Sequence, residues 1–112
     1  MISVIKSADL VTGSGRTGRF EGVSHGSGVS FYLVDNDPGQ GPGLHRHPYT
    51  ETWVVQAGSA TITVGDEFVD AVIGDILTVP AHTPHKFVNS GSGVLRMVCI
   101  HASPKMIQDE LE

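Results

Sequence analysis

Short apolar runs separated by glycine-rich turns recur along this chain: Phe31-Tyr32-Leu33-Val34, Trp53-Val54-Val55, Ala60-Thr61-Ile62-Thr63-Val64 and Leu95-Arg96-Met97-Val98-Cys99-Ile100. Runs of this length, rich in β-branched and aromatic residues and returning at regular intervals, predict an all-β sandwich or barrel. Glycine strengthens that reading, with 14 in 112 residues against a usual share of about 7%. Most of them fall between the apolar runs, where they favour tight turns over long helices. Val64-Gly65-Asp66-Glu67 predicts a hairpin in which Gly65 takes positive φ at little cost. Thr12–Gly18 and Asp35–Gly43 are the loop-like stretches; neither is long enough to separate two domains, and there is no internal repeat. Residues 1–112 are therefore expected to form a single domain. From Pro104 to Glu112, a proline suited to a first helical turn and the spacing of Met106, Ile107 and Leu111 predict a short closing helix.

Strand alternation predicts which side chains share a face. If Glu51 points inward, Trp53 and Val55 do too; if His85 does, Phe87 and Asn89 follow. The same parity brings in Phe31 and Leu33, Ile62 and Val64, and Leu95, Met97 and Cys99. Tyr32 and Val34 then fall on an outer face that a second subunit can cover, with a strand around Val4 and Ile5 pairing across the interface, so a homodimer is expected. Burying one large apolar side chain contributes about 1.5–3 kcal/mol. Trp53, Phe87 and Met97 thus read as core before they read as substrate contacts.

Composition narrows the function. Hydrophobic residues at 39% suffice for a core, while the net charge of −5 and seven scattered basic residues exclude the clustered cations that nucleic acid requires. A single cysteine, Cys99, rules out an internal disulfide and fits a reducing compartment. No run of 18 apolar residues is present, and the first ten residues lack the pattern of a secretory leader, so no membrane partner and a cytoplasmic location are expected.

The chemistry concentrates in His45, His47 and Glu51, followed by His85 in the segment Pro80-Ala81-His82-Thr83-Pro84-His85. Neutral imidazole is the commonest side-chain ligand for first-row metals, and one carboxylate adds a hard oxygen and negative charge, which together suit Mn, Fe, Ni, Co or Zn. Four ligands leave open positions on a six-coordinate ion. Tyr49, between the ligands, carries a phenol able to donate to a bound carbonyl, and Glu51 can also serve as a general base. Gln40 is expected near the mouth of the site. His82 is a turn residue between two prolines, His25 belongs to a turn, and His101 is expected to be a solvated strand end.

These residues fall into two motifs. Gly39, His45, His47, Glu51 and Gly58 fill G-x5-H-x-H-x3-E-x6-G, and Gly74, Pro80, His85 and Asn89 fill G-x5-P-x-G-x2-H-x3-N, with His82 where the second motif has glycine. The chain thereby resembles the cupins of the small single-domain type. The resemblance implies a double-stranded β-helix (jelly-roll) barrel and one divalent transition metal held by His45, His47, Glu51 and His85. It further implies a small-molecule ligand or substrate. Cupin-like proteins with this pattern include dioxygenases acting on small enolizable or phenolic compounds, isomerases, cyclases and decarboxylases using a Lewis-acid metal, and non-catalytic metabolite-binding modules. The fold alone does not choose among them.

Overall fold

A computed structural model describes residues 1–112. Ten strands run through the chain: β1 (Gly18–Phe20), β2 (Ser30–Asn36), β3 (His45–Arg46), β4 (Glu51–Ala57), β5 (Ser59–Val64), β6 (Glu67–Val72), β7 (Ile76–Val79), β8 (His85–Asn89), β9 (Leu95–His101) and β10 (Asp109–Glu110). They form two five-stranded antiparallel sheets, ordered β1-β2-β9-β4-β7 and β10-β3-β8-β5-β6. Helical structure is confined to two 3-10 turns, Ser7–Leu10 and Gly22–His25. None of it is long and apolar enough to cross a membrane.

The core lies between the sheets. Trp53 and Val55 of β4, Leu95, Met97 and Cys99 of β9, Ala60 and Ile62 of β5, and Phe87 of β8 are all buried. Their strict alternation with more exposed neighbours is the period-2 pattern of half-buried strands. The Val64–Glu67 hairpin forms as expected, with Gly65 at φ 58° joining paired Val64 and Glu67. Gly58 turns β4 into β5 at φ 78°, and a Cβ there would come within 2.5 Å of the Val94 carbonyl oxygen, so no other residue fits without displacing backbone.

Three expectations are corrected. On β2 the inward residues are Tyr32 and Val34, not Phe31 and Leu33: Tyr32 pairs with Cys99 and Val34 with Met97, and the inward parity of β9 decides the matter. Four consecutive apolar residues carry no alternation of their own. Phe31 instead stacks on Phe20 at 4.5 Å, and Phe20 on His25 at 4.5 Å. The stretch around Val4 and Ile5 forms no strand and is exposed. The closing helix is also absent. Asp109 and Glu110 pair with Arg46 and His45, and the Leu111 amide donates to the Leu44 carbonyl at 2.9 Å. A helix of nine residues is marginal alone, whereas the tail here satisfies the otherwise open edge of β3.

Candidate metal centre

Both sheets contribute to one polar cluster. His45 opens β3 and pairs with His85 at the start of β8, while Glu51 opens β4 and pairs with His101 at the end of β9. His47 lies just beyond β3. His45, His47, Glu51 and His85 are all buried, and one ligand atom from each lies within 4.8 Å of the others.

Backbone carbonyls orient the three imidazoles. Nδ1 of His45 donates to Gly43 O at 2.7 Å, Nδ1 of His47 to Ile107 O at 2.8 Å, and Nδ1 of His85 to Thr83 O at 2.8 Å. A neutral imidazole with its proton on Nδ1 carries a lone pair on Nε2. His47 Nε2 and His85 Nε2 stand 3.2 and 3.1 Å from Glu51 Oε1, and the buried His47 Nε2 has no hydrogen-bond partner. Lone pairs and an ionised oxygen facing one another repel unless a cation, or an added proton, lies between them. The donor set therefore fits a divalent ion, and the carbonyl anchors are the outer partners that such ligands ordinarily have.

Charge follows the same geometry. Burial pulls His45 below its ordinary pKa, against the opposing Gly43 carbonyl and with help from neighbouring imidazoles. Burial also pulls His47 down, but Glu51 and the Ile107 carbonyl outweigh it and leave His47 raised. For Glu51 burial alone would raise the carboxyl; His101, His47 and His85 together hold it well below the carboxylate range. Glu51 is thus an anion inside the protein, a state that requires nearby compensation.

His101 belongs to this cluster, contrary to the expectation of a solvated strand end. It is 1% exposed, and its Nε2 lies 3.2 Å from Glu51 Oε2. The inward alternation of Leu95, Met97 and Cys99, carried on by one step, reaches His101. Trp53 Nε1 donates to the same oxygen at 2.7 Å. Tyr49 sits behind the ligands: its ring stacks on His47 at 5.0 Å, and its hydroxyl lies 2.6 Å from His101 Nδ1. The Ile107 amide donates to that hydroxyl at 3.3 Å; because His101 Nε2 faces the acceptor-only carboxylate of Glu51, a neutral His101 carries its proton there and accepts the phenolic proton at Nδ1. Burial raises the Tyr49 phenol to about 12. The ligand histidines are thus anchored by acceptors and His101 by a donor, which gives it the opposite tautomer.

A cavity of about 630 Å3 opens from His45, Glu51 and His101 to the loops around Arg16 and Gln40. Gln40 is at its mouth, as expected. His82 is exposed and takes the left-handed φ of 61° that its motif glycine would have, while its amide donates to His47 O at 2.6 Å. The turn keeps its shape with a residue that strains it. Asn89 is buried, bonding Asn36 O, Gly93 O and Gly91 N.

Comparison with known proteins agrees with this architecture. An uncharacterized protein of Methanocaldococcus jannaschii is 32% identical over 68 residues, 59% of this chain and 54% of that protein. A longer relative is matched over only 20% of its length, so the chain spans about half or less of these sequence relatives. Among solved structures, a protein with a double-stranded β-helix domain from Klebsiella pneumoniae superposes with a TM-score of 0.78 at 21% identity, covering 100% of this chain and 99% of that one. Oxalate decarboxylase of Bacillus subtilis superposes with a TM-score of 0.79 at 22% identity, over 90% of this chain and 29% of that one. These structural likenesses establish the fold. The family model described as cupin domain matches residues 32–101, well over half of the chain and all four clustered residues, and the protein belongs to the cupin-domain family.

Proposed function

We propose that the protein is a metal-dependent enzyme of small molecules, a dioxygenase acting on an enolizable or phenolic compound, with His45, His47, Glu51 and His85 holding one divalent Mn, Fe, Ni, Co or Zn ion. The observation that carries this reading is the convergence of lone-pair nitrogens and one carboxylate oxygen in a cluster of which His45 and Glu51 line a cavity of about 630 Å3. Such an ion, when bound, polarises an oxygen of the ligand and, if it is redox-active, supports reaction with dioxygen. Glu51 shares the negative charge and is a candidate proton acceptor. Tyr49 enters as a positioning residue, because its oxygen is occupied by His101 and the Ile107 amide rather than directed into the cavity.

The functional unit we propose is the whole of residues 1–112, since Ile107 anchors His47 and β10 covers β3. We also propose a homodimer in the cytoplasm. Exposed Phe68, Val72, Ile73 and Ile76 on and beside β6 and β7 supply apolar surface for the contact. The test of activity is oxygen uptake by iron-loaded protein against a panel of 1,3-diketones, 2-oxo acids and catechols. Metal-dependent uptake with a cleaved or oxygenated product supports the dioxygenase; conversion without uptake moves the reading to Lewis-acid isomerase or lyase chemistry; saturable binding without product leaves a binding module.

A further inference from the structure

The walls of the cavity restrict what charge a ligand can carry. Tyr32, Val34, Phe87 and Cys99 supply its hydrophobic lining, and the rest of the lining is polar or small. Gln40 lies towards the mouth; its Oε1 accepts from the Asp37 amide at 2.8 Å, which leaves its NH2 group to offer. The one arginine or lysine lining the cavity is Arg16, and each of its nitrogens faces an aspartate, so that Arg16, Asp35 and Asp37 together carry a net negative charge. Nε lies 3.2 Å from Asp35 Oδ1, and Nη2 and Nη1 reach the two oxygens of Asp37 at 2.7 and 3.4 Å. Arg96, outside the cavity, approaches Asp35 only at 3.8 Å. At the inner end a divalent ion and ionised Glu51 would leave a net single positive charge, enough to match one anionic oxygen. A second carboxylate reaching the mouth would meet Asp35 and Asp37 with only Arg16 to offset them, a net like-charge repulsion that water at this half-exposed rim weakens without cancelling.

We infer that this cavity takes a small molecule with a single anionic or enolic head at the metal centre and an uncharged body, and that it discriminates against acids that extend a second carboxylate to the mouth. This rests on the proposed metal centre and deepens it by naming the ligand class.

Two 2-oxo acids present the same head group with different bodies: phenylpyruvate ends in a ring and 2-oxoglutarate in a carboxylate. Calorimetric titration of both into zinc-loaded protein, with retained zinc measured afterwards, separates the alternatives. Phenylpyruvate is expected to bind at least about tenfold more tightly. In an Asp35→Asn/Asp37→Asn variant Arg16 is released, and 2-oxoglutarate should gain about tenfold while phenylpyruvate moves less than about twofold. Equal or tighter binding of 2-oxoglutarate by the unaltered protein overturns the inference and leaves the metal centre standing. Binding of neither acid to protein that keeps its zinc overturns the inference together with the reading of the cavity as a ligand site.

Discussion

The inner end and the mouth of the cavity are both built from charged and polar side chains, yet they are held in different ways. At the inner end the side chains that are held are themselves buried: carbonyls of Gly43, Thr83 and Ile107 fix three imidazoles, while Trp53 and His101 face one oxygen of Glu51. At the mouth, Arg16 bridges Asp35 and Asp37 with its side chain half exposed. Water competes poorly in the first place and freely in the second, so on the proposed reading the inner end would govern metal affinity and the mouth the choice of ligand. The contrast assigns large energetic consequences to few residues.

The largest effect below loss of a ligand itself is expected at His101. His101→Ala removes the group facing Glu51 Oε2 and should weaken metal binding by about 10–100-fold, the range typical of outer partners, measured by competition with a chromophoric chelator. Unchanged affinity would mean that Trp53 alone positions Glu51.

Protonation sharpens the contrast next. His47 is raised from 6.5, so in metal-free protein it adds stability that is fully present below the unfolded value and lost as pH rises through the folded one. His45 is lowered and acts oppositely, costing stability as pH falls below 6.5. Glu51 is held low, so its contribution is full above its ordinary value of 4.5 and declines progressively as pH falls below it. A metal needs the lone pair of His47, so its apparent affinity should fall by about tenfold per pH unit once the pH drops below the raised His47 value. A pH-independent affinity through this range would remove His47 from the ligand set.

Smaller effects belong to the turn and the mouth. His82→Gly relieves a left-handed backbone and should stabilise the fold by about 1 kcal/mol, read as a higher melting temperature. Asp37→Asn should leave the melting temperature unchanged within error, because the ion pair it breaks is solvated. A marked drop there would make the mouth part of the structural framework.

His45, His47 and Glu51 are legible because they lie within seven residues of one another, and His85 because it completes the second motif with Asn89 four residues on; the pairing that sets His85 beside His45 is long-range. For His101 the expectation that a polar residue ending a strand meets solvent outweighs the inward alternation of Leu95, Met97 and Cys99 that points to it; its register opposite Glu51, a long-range fact, is what brings it to the cluster. Tyr32 and Val34 were misassigned to the outside because β2 is apolar on both faces, and the choice of face belongs to β9. The tail illustrates the same limit. Its apolar spacing suits a helix, but an open edge elsewhere in the fold draws it into a strand.

The central claim is that three imidazoles and Glu51 hold one metal ion. Elemental analysis of untagged protein beside its His47→Ala variant tests it most directly. Close to one Mn, Fe, Ni, Co or Zn per chain, lost in the variant, is the predicted result. No bound metal after anaerobic reconstitution, or metal retained equally by His47→Ala, would contradict it.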